Sequence, residues 1–335
     1  MRAVVLQGPR RVEVCELADP VLLEAGDAIV AVSLAAICGT DLHAYRGEVD
    51  GVPPGTVLGH EFVGEIVAVG AAVRSLVPGQ RVVASDLVAC GECRWCERGW
   101  HYQCSRASLF GYGTAVGADL AGGQAELVRV PNADLLLCPI ADGIDDEDAV
   151  FVADVLATAW MAVAESGLGE GESLAVVGCG PVGLCTVSCA LRAGAGAVFA
   201  VDSDPRRVAR AVELGAVAVT SDGGPEADVV VEAVGSDAAL ATALELVRPR
   251  GTVVAVGAHR SEAMPFPARE AFARELTLKF VVGDPLGVRE ELLAEIEAGR
   301  LSPGAIVSHR LPLERAAEAY RLFDAREAVK VVLRA

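Results

Sequence analysis

Residues 173–202, SLAVVGCGPVGLCTVSCALRAGAGAVFAVD, restrict the possible folds of this chain more than any other stretch. An apolar run gives way to a glycine-rich turn, a helical segment and a second apolar run that ends at Asp202. Two buried strands joined by a helix lie parallel in one sheet, so the segment is a βαβ unit. The 18 uncharged residues from Leu174 to Leu191 have the length of a membrane span, but Gly178, Gly180, Pro181 and Gly183 interrupt them, as a turn requires. Those glycines form a Gly-x-Gly-x-x-Gly pattern, with Pro181 and Val182 opening the helix. They let backbone N–H groups approach a pyrophosphate at the helix N-terminus, and Asp202, 19 residues past the last glycine, can accept from ribose hydroxyls. Without that context the pattern is an ordinary βα turn. The acid disfavours a 2′-phosphate, so NAD is expected over NADP, with Arg206 and Arg207 nearby as the opposing signal.

The alternation continues. Asp204, Pro205 and Gly215 bound a helix as cap, first-turn proline and terminating glycine. The stretches 227–235 and 251–257 are further buried strands, separated by a helical segment, so this half is a doubly wound α/β sheet. At 335 residues the chain has room for about two domains. The net charge of −18 argues against nucleic acid, whose phosphates need a basic surface. The N-terminus has no apolar segment followed by a small-residue cleavage site, so a cytoplasmic location is expected. Ten cysteines in such a chain favour metal ligands and buried thiols over disulfides.

The first half is different in kind. Short alternating runs up to residue 37 predict a β-rich start, and Cys38 follows the third of them. From Cys38 to Glu61, within 24 residues, come a thiol, Thr40, Asp41, His43, His60 and Glu61. Cys and His are preferred zinc ligands, although a lone Cys or His is more often a buried core residue. Cys90, Cys93, Cys96 and Cys104 follow at spacings of two, two and seven, a set able to close a tetrahedral structural zinc site. An iron–sulfur cluster or a disulfide pair are the competing readings; the ferredoxin spacing and its terminal proline are absent. Residues 143–167 then predict a helix capped by Asp145 and running to Gly167. Within it Asp154 is an acid in an apolar stretch, either a cap or a partner of a cation.

Gly59, His60, Glu61, Gly64, Gly70 and Val73 resemble the zinc signature of the medium-chain zinc-dependent alcohol dehydrogenase family, and the likeness runs from end to end of the chain. The passage GGQAELVRVP is similar to the branch holding glutathione-independent formaldehyde dehydrogenases and bacterial secondary-metabolism enzymes. The resemblance implies a GroES-like β-rich catalytic domain over 1–153, with the zinc lobe at 90–104, a Rossmann domain over 154–284, and completion of the catalytic domain by 285–335. It implies a catalytic zinc on Cys38, His60 and Asp154, with Glu61 able to coordinate transiently, and a structural zinc on the four cysteines. Asp41 is expected to orient His60. Thr158 is expected at the nicotinamide, Val256 and Gly257 at its carboxamide, and Arg207 and Lys330 among the cofactor contacts, Lys330 at the phosphates. Gly39 replaces a basic residue that some relatives carry there. The implied reaction interconverts an alcohol and an aldehyde or ketone, with Thr40 taking the hydroxyl proton and His43 passing it to solvent. Alternatives are a zinc-containing reductase of conjugated C=C bonds and a non-catalytic dinucleotide sensor or scaffold. A homodimer or homotetramer is implied, with a small-molecule substrate and neither membrane nor nucleic acid as partner.

Overall fold

The computed structural model describes residues 1–220, 224–260 and 266–335. The chain forms two compact units, Met1–Ala157 with Asp284–Ala335, and Thr158–Gly283. Residues 154–157, assigned from sequence to the cofactor half, belong with the first unit because the turn before them, Val150–Ala153, is wholly buried in its core.

The first unit is built on a seven-stranded sheet. Its order is His309–Pro312, Val331–Arg334, Ala28–Ile37, Glu61–Val69, Arg81–Ala84 and Leu137–Pro139, and Leu127–Val130 also pairs with Ala28–Ile37. All neighbours are antiparallel except the first two. Register decides what gathers at one end of this sheet. Ala36 faces Glu61 and Ile37 faces Val331, so Cys38, His60 and Lys330 leave three adjacent strands at the same edge. One face packs Phe62, Ile66, Phe110 and Leu136; another cluster joins Ile37 and Tyr45 to Tyr320 and Leu333 from the far end of the chain.

The second unit carries a six-stranded parallel sheet in the order Val217–Ala218, Ala197–Val201, Ser173–Val177, Ala227–Glu232, Val247–Ala255, Thr277–Phe280. The first strand in sequence lies inside the sheet, and the chain winds from it to one edge and then back to the other. The C-terminal end of Ser173–Val177 is therefore the place where the winding reverses, where such sheets open a crevice for ligands.

The helix expected over 145–167 is broken. A short helix, Asp146–Ala149, tightens into a 3₁₀ turn at Val150–Ala153, and a new helix runs Val155–Ser166 at 58° to it. The break is Asp154, whose φ of −156° and ψ of −72° leave the helical region and turn its carboxylate toward Cys38 and His60. Among the described residues no single helix is long and apolar enough to cross a membrane.

Candidate active site

Cys38 Sγ lies 3.2 Å from Asp154 Oδ2, and His60 Nε2 lies 3.5 Å from the same oxygen. The donor atoms of the three side chains all fall within 4.8 Å of one another. Cys38 and His60 are buried, while the Asp154 side chain keeps 17% of its surface exposed, so the group is closed on the strand side and open at Asp154. A thiol, an imidazole and a carboxylate converging with one side open are a set suited to catalytic zinc.

The electrostatics of the group fit a cation. Burial, then the carboxylates of Asp154 and Glu61, push the Cys38 thiol up to about 12. Burial opposes charge on His60, but the Asp41 carboxylate, with Asp154 and Cys38, raises it well above its usual 6.5. Burial also works against Asp154, yet the hydrogen bond and charge of His60 hold it at about 2. Thiol and carboxylates thus crowd a site with little water to screen them, and a divalent ion relieves that crowding.

Glu61 and Lys330 are both fully buried and paired through Oε2 and Nζ. Glu61 Oε1 has no hydrogen-bond partner. Lys330 Nζ also sits 5.5 Å from the centre of the Phe151 ring. Lys330, expected at the cofactor phosphates, precedes the strand beside Ile37 and has its ammonium buried against Glu61.

Thr40 and His43 lie on the short helix Gly39–Tyr45, three residues apart and so on one face. Both are half-buried, and His43 Nδ1 meets Glu48 Oε2 at 2.8 Å. Asp41, at the third position of the same helix, accepts the Cys38 N–H at 2.9 Å and faces His60 Nδ1 at 3.3 Å.

Sequence reasoning missed Asp86. Its amide donates to the carbonyl of Ala153, next to Asp154, and its buried carboxyl accepts the Leu87 N–H at 2.6 Å. Burial, then the charge of Asp154, raises it well above 3.8. Nothing in the local pattern around Asp86 marks it, since the fold alone brings it beside Asp154.

The four cysteines of the lobe converge as well, with donor atoms within 4.8 Å. Cys93 and Cys96 sulfurs are 3.6 Å apart and those of Cys90 and Cys96 3.9 Å, far beyond a disulfide bond. Among the described residues, which include all ten cysteines, none is joined in a disulfide. Backbone N–H groups, Cys96 foremost, lower Cys93 to about 6, so one thiolate is available near neutrality.

In the second unit Gly180 caps the helix Pro181–Arg192, with Pro181 at its first position and Val182 next. Gly183 must be glycine: a Cβ there would lie 1.8 Å from the carbonyl oxygen of Gly178. Asp202 Oδ2 accepts the Cys179 N–H at 2.7 Å and Oδ1 the Asp204 N–H at 2.8 Å, which fixes the carboxylate beside the glycine turn. The Arg207 guanidinium lies over the same turn, 3.7 Å from where a Cβ on Gly180 would be, and its Nε has no hydrogen-bond partner. Val256 and Gly257 both donate to the carbonyl of Glu232, and Thr158, at the start of this unit, is buried beside Gly283.

Comparison with known proteins agrees with this layout. Residues 24–140 match the model of the alcohol dehydrogenase GroES-like domain, and residues 181–297 that of zinc-binding dehydrogenases. A Mycobacterium tuberculosis protein named as a zinc-binding alcohol dehydrogenase is 39% identical, covering 97% of this chain and 86% of its own. The solved alcohol dehydrogenase of Thermus sp. ATN1 is 41% identical with a TM-score of 0.95, over 100% of this chain and 99% of that one. A zinc-binding dehydrogenase of Sinorhizobium meliloti, solved with NADP bound, is 29% identical with a TM-score of 0.88, over 100% and 99%.

Proposed function

Since this chain belongs to the medium-chain zinc-dependent alcohol dehydrogenases, oxidoreductases of alcohols, we propose that it works with NAD and holds two zinc ions, one on Cys38, His60 and Asp154 and one on the four lobe cysteines. The carrying observation is the convergence of the Cys38, His60 and Asp154 donor atoms within 4.8 Å, open on the Asp154 side. The preference for NAD is supported by Asp202, an acid fixed at the end of its strand, where it repels a 2′-phosphate and keeps lone pairs for ribose hydroxyls. In this reading Arg207, whose guanidinium lies over the glycine turn, meets cofactor phosphate, and Thr158, Val256 and Gly257 contact the nicotinamide end.

When bound, zinc supplies Lewis-acid polarisation of the substrate oxygen and NAD supplies the hydride acceptor. The chain's own residues do the rest. Asp41 holds the imidazole of His60 so that Nε2 faces the open side. Thr40 Oγ1 would accept the proton that leaves the substrate hydroxyl as its own hydroxyl proton moves on toward His43, which, oriented through Nδ1 by Glu48, takes up that proton and releases one to solvent. Glu61 is kept in the site by Lys330, ready to approach the zinc transiently.

The chain acts on a small-molecule alcohol or carbonyl compound in the cytoplasm, as a homodimer or homotetramer. Self-association is supported by the exposed edge strand Thr277–Phe280 and the exposed Phe272, Phe280 and Val282 around it. The test is to replace Cys38 or His60 by Ala and to follow NADH formation across primary, secondary and polyol substrates, with zinc counted per chain. We expect turnover to fall at least a hundredfold, on the order of the loss when a catalytic electrostatic group is removed, and zinc to fall from two to one. Full turnover with unchanged metal would overturn the reading.

A further inference from the structure

The support beneath His60 does not end at Asp41. Asp41 Oδ2 takes two donors, the Cys38 N–H at 2.9 Å and Gln124 Nε2 at 3.3 Å, which leaves Oδ1 alone to face His60 Nδ1. Both atoms are buried and neither has a hydrogen-bond partner, in the other or elsewhere, so what joins them is the 3.3 Å contact itself. Gln124 Nε2 also donates to the carbonyl of Ala36 at 3.3 Å. With a carboxylate and a carbonyl around it, that position must be the amide nitrogen, so Gln124 Oε1 is the acceptor of its other neighbour. That neighbour is the Tyr320 hydroxyl at 2.8 Å, on the helix Ala316–Asp324. Asp41, Gln124 and Tyr320 have no exposed surface and His60 has 1%, so no water competes along the line.

Local geometry is arranged to let Gln124 through. Gly59, directly before His60, has a φ of +99°, and a Cβ there would lie 2.4 Å from Gln124 Cγ. The Tyr320 ring is itself held, 5.1 Å from the ring of Tyr45 at the end of the helix that carries Asp41.

We propose that Tyr320 and Gln124 are positioning residues for the metal ligand His60: they fix the Asp41 carboxylate, and through it the imidazole, so that the C-terminal segment of the chain governs how tightly the catalytic metal is held. The proposal rests on the reading of Cys38, His60 and Asp154 as metal ligands. It assigns no contact with substrate to either residue. An outer partner of a metal-bound histidine fixes ring orientation and raises ligand basicity, and losing it loosens the metal while all ligands remain. Tyr320 and Gln124 extend that device by two links.

The experiment uses the zinc-loaded full chain. Release of both ions to dipicolinate is timed in wild type, Gln124→Leu, Tyr320→Phe and the double variant, and cobalt-loaded samples are compared by visible absorption. The thiolate-bound ion of the lobe serves as internal control, and Phe323→Leu, on the same helix, controls for lost packing. We expect Gln124→Leu to speed release of one ion about tenfold, at the low end of what such partners contribute, and Tyr320→Phe to act in the same direction by a smaller factor. The double variant should be no faster than Gln124→Leu, because both act along one path. The cobalt bands should shift in the same order. Equal acceleration of both ions, unchanged rates, or the same effect from Phe323→Leu would overturn the proposal. A wild type with a single ion that Cys38→Ala leaves in place would overturn the metal reading, and the proposal with it.

Discussion

Lys330 and Glu61 show how strongly a single side chain can be committed. Burial works against both charges; Glu61 holds Lys330 above its usual 10.5, while burial leaves Glu61 above its usual 4.5 despite the ammonium beside it. Removing one partner leaves the other charged with no water to receive it. We expect Lys330→Met to cost about 3–5 kcal/mol in denaturant unfolding, and Glu61→Gln added to it to recover most of that loss. A loss under about 1 kcal/mol would mean that water reaches the pair. Both residues were singled out in the sequence, but their pairing across the chain was not. Cys38 and His60 stood out because their types and the glycines beside His60 make a local pattern. Asp154 needed family likeness to be chosen over a helix cap. Asp86 and Tyr320 carried no signal, and Gln124 only that of the family-like passage around it, since each acquires its role only where remote segments meet.

Elements short enough to be set by neighbours in sequence were the most legible. The glycine turn, the helix capped by Asp204 and the cysteine lobe all follow from spacing, because chain connectivity fixes their geometry within a few residues. The bent segment around Asp154 was read as one helix, because its periodicity is helical on both sides and tertiary contacts impose the break. Strand starts in the parallel sheet are tied by a clamp that periodicity does not reveal. Ser173 donates through its N–H at 2.8 Å and its hydroxyl at 2.6 Å to Asp228, and Arg248 Nε adds a third bond at 2.6 Å, joining three neighbouring strands. These bonds, Ser173's foremost, hold the Asp228 carboxyl at about 2 instead of 3.8. A carboxyl lowered on folding stabilises the protein above its unfolded value and stops doing so as pH falls through its folded value. The stability difference between wild type and Asp228→Asn should therefore stay constant from pH 7 to about 4 and shrink toward pH 2. A difference that persists at the acid end would assign the effect to shape rather than charge.

At the scale of the whole molecule, the alternation of strands and helices made the second unit readable, and the zinc signature with the β-rich start made the first one so. How the sheet of the first unit is ordered was not readable, since pairing between strands hundreds of residues apart leaves no trace in periodicity. The open edge at Thr277–Phe280 bears on assembly. Charge placed there should block the proposed self-association: Phe280→Glu with Phe272→Glu should lower the mass seen by light scattering to about that of one chain, 34.5 kDa. An unaltered mass would place the interface elsewhere. The interior position of Val331–Arg334, between His309–Pro312 and Ala28–Ile37, has a further consequence. As the protein leaves the ribosome, Cys38 and His60 emerge before the whole second unit, yet the strand that lies against Ile37, the ammonium paired with Glu61 and the tyrosine behind Gln124 are made only after it. The nascent first unit must therefore wait, with one strand of its sheet unpaired, through synthesis of the entire second unit, so the donor set of Cys38, His60 and Asp154 gains its full support only after that unit has been made.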